Sequence, residues 1–221
     1  MKQILIYGAS ITHGVGGENG GWAEKLKAAF HKQMFGADTE GEWYEVYELG
    51  IPGQTTSDVL GRFDTELKAR LRVKRPKDLV VVLSIGLNDS KAVDVVDNHL
   101  RTPDDFAANI HSFIHLAKDF TPNILIVGLA PVDESKTRPK QNFAGKDVYL
   151  TNERIRIFDE TLERTCDEEG TQFVPLFNEA PSDWVQHYLW ADGVHPNDAG
   201  HEWIKGEVEP VLREMLGQAA A

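Results

Sequence analysis

The sequence predicts an α/β fold: a five-stranded parallel sheet with helices on both faces. Short β-rich apolar runs alternate with longer stretches of helical periodicity, five times along the chain, and such alternation builds parallel sheets through crossover helices. The third run, Leu79-Val80-Val81-Val82-Leu83, is apolar without alternation, as a central strand covered on both faces must be. At 221 residues the chain fits one domain, of which roughly 100–200 residues is typical, and can bury a core without disulfide or metal staples.

The elements follow in order. The strands are expected at residues 4–7, 44–49, 79–85, 124–129 and 172–176. Trp22, Leu26, Ala29 and Phe30 share the face of a first helix, and Val59, Leu60, Phe63 and Leu67 that of a second. In the third, Thr102 is placed to cap, Pro103 stands in the first turn, and Asp104 and Asp105 suit the positive end. Phe106, Ile110, Phe113, Ile114 and Ala117 then form its apolar stripe. A fourth helix is expected over residues 150–169 with Ile155, Phe158, Leu162 and Cys166 inward, ended by Gly170. The last spans residues 198–216, where Pro210 should kink or split it. Residues 131–149, rich in Lys, Arg and Pro, read as the one long irregular stretch: either a pocket-lining insertion or a solvated surface loop. Residues 218–221, Gln-Ala-Ala-Ala, are expected to fray.

Composition narrows the function. Twenty-three basic against 35 acidic residues leave a formal charge of −12. Such a surface repels phosphate backbones and anionic headgroups, which argues against nucleic-acid or membrane-surface partners. Cys166 is the single cysteine, so neither an intramolecular disulfide nor a Cys-rich zinc site can form. No apolar run approaches the roughly 20 residues of a membrane span. Ile4-Leu5-Ile6 is too short for a signal-peptide core before Gly8 interrupts it. A cytoplasmic protein is therefore expected, with a processed secreted chain the alternative.

In open parallel sheets, ligands bind where loops leave the carboxyl ends of the strands. The first such loop reads Tyr7-Gly8-Ala9-Ser10-Ile11-Thr12-His13-Gly14. It and the glycines after it fail as a dinucleotide fingerprint, as a P-loop and as a Gly-x-Ser-x-Gly elbow. A serine on a strand-to-helix turn remains, and helix capping alone would explain it. The second loop, Leu49-Gly50-Ile51-Pro52-Gly53-Gln54-Thr55, offers backbone N–H groups at the same edge. In the third, Ser84-Ile85-Gly86-Leu87-Asn88-Asp89, Asn88 could present an amide to the crevice or close an ordinary turn. Near the carboxyl terminus, Trp190-Ala191-Asp192-Gly193-Val194-His195-Pro196 sets a carboxylate and an imidazole three residues apart. Such a pair can orient a general base, cap a helix or, less well supported by neighbours, contribute to a metal site. His111 and His115 lack the intervening Glu of a zinc-binding helix and read as exposed helix residues.

Together, Gly8-Ala9-Ser10-Ile11-Thr12, Gly50, Gly86-Leu87-Asn88-Asp89 and Asp192-Gly193-Val194-His195-Pro196 resemble the blocks of the SGNH (GDSL-type) hydrolase family, in the family's order. The resemblance implies a three-layer α/β/α sandwich with a flavodoxin-like sheet, and an esterase mechanism on small-molecule esters that needs no cofactor or metal. It implies Ser10 as nucleophile, His195 as general base and acid, and Asp192 as the residue that orients His195. It implies an oxyanion hole from the N–H of Ser10, the N–H of Gly50 and the side-chain amide of Asn88. Two positions depart from the pattern: Ala9 stands where the family usually has Asp, and Glu48 where Asn is common.

The leading expectation is hydrolysis of small or short-chain carboxylic esters through an acyl-serine. One alternative transfers the acyl group to an alcohol or sugar, with Trp184, Tyr188 and Trp190 as an aromatic platform and Trp190 as the residue against substrate; core or surface packing is the favoured explanation of the same three residues. The other is a non-catalytic binding module on the same fold, for which Ala9 is the pointer.

Overall fold

The computed structural model describes residues 1–35, 42–142 and 144–217; the expected fraying at residues 218–221 lies outside them. The chain opens with β1 (Lys2–Gly8), α1 (Ser10–His13), α2 (Trp22–Met34), β2 (Tyr44–Gly50) and α3 (Thr56–Arg70). It continues through β3 (Leu79–Ser84), β4 (Ala92–Val93), α4 (Pro103–Lys118) and β5 (Ile124–Val127). Then come α5 (Glu134–Thr137), β6 (Lys140–Gln141), β7 (Asp147–Tyr149), α6 (Asn152–Glu169), β8 (Gln172–Val174), α7 (Trp184–His187) and α8 (Asp198–Met215).

Five strands form one parallel sheet in the order β2-β1-β3-β5-β8. Alternate residues of β1 and β3 feed two cores. Leu5, Tyr7, Val81 and Leu83 pack against α3, α4 and α6. Ile4, Ile6, Val80 and Val82 pack against α2 and α8. The result is a three-layer α/β/α fold. A β-strand turns successive side chains to opposite faces, so only a continuous apolar run can satisfy two helical layers at once, as residues 79–83 do. Thr102 caps α4 as its sequence position predicts, its Oγ1 accepting the Asp105 N–H at 3.1 Å. Among the described residues, no helix is long and apolar enough to cross a membrane.

The structure departs from the sequence reading in three places. The apolar runs at 79–85, 124–129 and 172–176 overshoot their strands, because Ile85, Leu129 and Leu176 belong to the loops beyond and line a cleft there. Residues 131–149 are not irregular: they carry α5, β6 and β7, and the last two join β4 in a small antiparallel sheet of order β4-β7-β6. Strands of two or three residues are too short to show a period, which hid them. Pro210 does not split α8, which runs as one helix through it.

Glycines after β1 serve close packing. Gly16 has φ +95°, and a Cβ there would lie 2.2 Å from the carbonyl oxygen of Pro196. His201 of α8 is fully buried beside this stretch. Its Nδ1 accepts the Trp22 N–H at 3.2 Å and its Nε2 donates to the Val15 carbonyl at 3.1 Å. Burial pushes its pKa down, so the imidazole is a neutral cross-link between the two ends of the chain.

Asp159 of α6 is buried with its Oδ1 accepting the Leu129 N–H at 2.7 Å. Burial pushes its carboxyl up to about 6 from 3.8. The folded state thus holds the proton more tightly than the unfolded chain, so the group favours folding at low pH and that contribution disappears as pH rises through 6. Asp159→Asn keeps an acceptor without the charge. It is expected to stabilise the protein by about 1–3 kcal/mol at neutral pH and by less near pH 4.5, read by denaturant unfolding at both.

Candidate active site

The site forms at the carboxyl edge of the sheet. There Gly8, the last residue of β1, stands in register with Gly50 of β2 on one side and Ser84 of β3 on the other. The chain turns at Ala9 into the four-residue α1, with Ser10 its first residue. A Cβ on Gly8 would sit 2.0 Å from Thr12 Oγ1 and 2.5 Å from the Ser84 carbonyl oxygen, so this turn closes only over glycine. As the first helical residue, Ser10 has an N–H with no acceptor inside its helix.

From the other end of the chain comes the turn at 192–195. Gly193 adopts φ +73°, a left-handed conformation that glycine takes without cost. This folds Asp192 back over its own turn, so that Oδ1 accepts the N–H groups of Val194 and His195, both at 3.0 Å. Oδ2 is left to face the imidazole, with His195 Nδ1 at 2.6 Å. The far ring nitrogen, Nε2, lies 2.9 Å from Ser10 Oγ. An ionised carboxylate only accepts, so the proton resides on Nδ1 and Nε2 is free to accept from the hydroxyl. Burial would push the Asp192 carboxyl up, but hydrogen bonds from His195, from Lys140 Nζ at 2.7 Å and from the two N–H groups outweigh it. They hold it below the usual carboxylate range, ionised at any working pH.

Asn88 lines the cleft with Ser10 and gives one hydrogen of Nδ2 to the Gln54 carbonyl at 2.9 Å. Gln54 is fixed in turn: its Oε1 accepts Arg62 Nε at 2.7 Å, and Arg62 also donates to the carbonyls of Leu49, at 2.6 Å, and Gly8, at 3.2 Å. One guanidinium therefore ties together the ends of β1 and β2 and the loop that orients Asn88. Asp89 is fully buried next door. It accepts from Thr56 Oγ1 at 2.6 Å, from the Thr56 N–H, and from Arg101 Nε at 2.8 Å, which pins the loop to the start of α3. Gly50 packs so tightly on α1 that a Cβ would lie 2.4 Å from the His13 nitrogen.

Ser10, Ile85, Leu87, Leu129, Leu176 and Ile204 wall an apolar cleft with a volume of about 40 Å³. Ala9 lines it as well, so the departure from the family Asp puts a methyl group on the cleft wall. Glu48 pairs instead with Lys27 at 3.5 Å, on the α2 side of the sheet.

Of the aromatic cluster before Asp192, Trp184 is turned into the core. Trp184 is 2% exposed, its Nε1–H donates to the Pro131 carbonyl at 2.8 Å, and its ring stacks on Tyr188 at 5.5 Å. Trp184 belongs to the core on the α2 and α8 side of the sheet, and the half-buried Tyr188 packs against it. Trp190 is 46% exposed and is not among the residues of the cleft wall. His111 and His115 sit on α4 and share Glu169 Oε1, at 2.8 and 2.9 Å. Lys140, Arg62 and Arg101 are the functional neighbours that sequence reasoning missed; each acts across 12 to 54 residues of chain, through partners no local pattern announces.

The chain matches the model of the GDSL-like lipase/acylhydrolase family over residues 6–203. It is 26% identical to a GDSL lipase of Mycobacterium tuberculosis, over 98% of this chain and 84% of the relative. It is also 26% identical to the isoamyl acetate-hydrolyzing esterase of Saccharomyces cerevisiae, over 98% of this chain and 88% of that one. In structure it is similar to a lipase/acylhydrolase from Enterococcus faecalis, with a TM-score of 0.72 at 20% identity, covering 98% of this chain and 96% of the other.

Asp89→Ala would leave the Arg101 guanidinium and the Thr56 N–H without their buried acceptor. It is expected to cost about 3–5 kcal/mol of folding stability, measured by guanidinium unfolding.

Proposed function

Because the chain belongs to the GDSL-like lipase/acylhydrolase family, we propose that it hydrolyses short-chain carboxylic esters through an acyl-serine on Ser10. The observation that carries this reading is the continuous row Ser10 Oγ, His195 and Asp192, with contacts of 2.9 and 2.6 Å. A serine hydroxyl is a weak nucleophile near neutral pH and needs a base within hydrogen-bond reach. In the proposed first step Ser10 Oγ attacks the ester carbonyl carbon while His195 Nε2 takes its proton, and Asp192 stabilises the resulting imidazolium. The carbonyl oxygen becomes an oxyanion facing the N–H groups of Ser10 and Gly50 and the Asn88 amide, each worth roughly 3 kcal/mol when well aimed. Collapse breaks the bond to the leaving alcohol, which departs with the proton from His195. Water then repeats the sequence on the acyl-serine, releasing the acid and restoring Ser10.

The cleft supports a short acyl group. An apolar cavity of about 150 Å³ takes a benzene ring, whereas about 40 Å³ beside Ser10 suits an acyl chain of a few carbons. The yeast relative, named for hydrolysing an acetate ester, points the same way. Burial of Trp184 and its bond to the Pro131 carbonyl leave acyl transfer to a sugar with less support than hydrolysis. The unbroken row of contacts argues against a vestigial binding module.

A fluorophosphonate tests the nucleophile directly: intact mass should show one adduct on the wild type and none on folded Ser10→Ala. Ser10→Ala and His195→Ala are each expected to lower kcat by about 10,000-fold or more on p-nitrophenyl acetate, and full turnover by either would overturn the reading. On the wild type, kcat/KM should fall at least about tenfold from p-nitrophenyl acetate to the decanoate, since the cleft desolvates only the first carbons of the chain. A flat profile would reject the short-chain assignment.

A further inference from the structure

Asp192 receives a cation from outside its own turn. Lys140 opens β6 of the small antiparallel sheet, 52 residues earlier in the chain. Its Nζ lies 2.7 Å from Asp192 Oδ2 and 3.3 Å from the Asp192 carbonyl oxygen. Oδ2 is also the oxygen that meets His195 Nδ1 at 2.6 Å, so imidazole and ammonium share one acceptor atom. The same segment grips the turn at a second point. Asp133 N–H donates to the Gly193 carbonyl at 2.8 Å, and a Cβ on Gly193 would lie 3.0 Å from Lys136 Cβ. Asp133, Lys136 and Lys140 thus clamp the acid turn, while Arg138 and Tyr149 of the same segment line a separate pocket with His99 and Arg154.

We propose that Lys140 is a positioning residue that sets the basicity of His195 through Asp192. The proposal rests on the Ser10–His195–Asp192 reading given above and adds the Lys140 contact to it. A lone carboxylate against an imidazole stabilises the imidazolium and so makes the ring a stronger base. An ammonium on the same oxygen offsets part of that charge and fixes the carboxylate rotamer. The other charged or titratable groups near the turn are accounted for. Lys136 is paired with Asp133 at 3.3 Å, and His201 on α8 is buried between Trp22 and Val15. Lys140 is the cation whose partner is Asp192 itself.

The test is the pH dependence of kcat/KM on p-nitrophenyl acetate for the wild type, Lys140→Met and Lys140→Arg, each checked for folding by thermal melt. In Lys140→Met the acidic limb is expected to move up by about half to one pH unit. Lys140→Arg restores the charge and should return the limb to within about 0.2 unit of the wild type. A limb that stays in place in folded Lys140→Met overturns the proposal, even if the melting temperature drops, because a merely structural clamp would change stability without moving the limb. Should the methionine variant fail to fold, Lys140→Gln keeps a donor to Asp192 without the charge, and the same shift or its absence decides. Failure of the underlying reading is separate: it would show as turnover retained by Ser10→Ala, whereas an unmoved limb in an active Lys140 variant removes Lys140 alone.

Discussion

The site depends on one row of the sheet. Gly8 is held between Gly50 and Ser84 by the parallel pairing of β1 with both neighbours, and the loops carrying Ser10 and Asn88 leave from or just beyond that row. A one-residue slip of β1 would exchange the faces of Ile4, Leu5, Ile6 and Tyr7 between two cores that are shaped differently. Core packing therefore fixes the register, and the register fixes how far apart the reacting groups stand. Arg62 reinforces the same row from behind, bonding the carbonyls at the ends of β1 and β2.

Two buried carboxylates, Asp89 and Asp159, and the half-buried Asp192 show how the fold apportions charge. Asp192 is met by an imidazole, an ammonium and two backbone N–H groups, which keep it ionised. Asp89 is met by Arg101 and Thr56, a structural pairing that anchors the loop next to Asn88. Asp159 has one backbone N–H and acidic neighbours at Glu160 and Glu163, and its carboxyl rises accordingly. Burial acts in the same direction on all three; the donors outweigh it at Asp192, whereas at Asp89, as at Asp159, burial prevails and the carboxyl is pushed up.

The architecture and the side chains of the candidate site were largely legible in the sequence because both rest on local patterns. The continuous apolar run at 79–83 announces a two-sided strand, and Asp192-Gly193-Val194-His195 encodes its own turn. What was not legible is whatever depends on long-range partners. Lys140 lies in a stretch that shows no period, since β6 and β7 are two and three residues long. Trp184 and Tyr188 read as packing more readily than as a platform, and the bond from Trp184 to the distant Pro131 carbonyl, which no local pattern announces, is what places Trp184 in the core. Ile85, Leu129 and Leu176 look like strand residues because a cleft wall and a sheet interior ask for the same apolar side chains.

The contact between Ser10 and His195 spans 185 residues of chain. During synthesis the serine emerges near the start, and its base arrives only when almost the whole sheet has already been made. A nascent or truncated chain therefore carries a hydroxyl no more reactive than that of any surface serine, since nothing is in reach to take its proton. Every strand must pair with a neighbour distant in sequence before the two ends meet, and such non-local topologies form late and cooperatively. The contact is thereby tied to completion of the fold: a chain cut before His195 lacks the imidazole that meets Ser10.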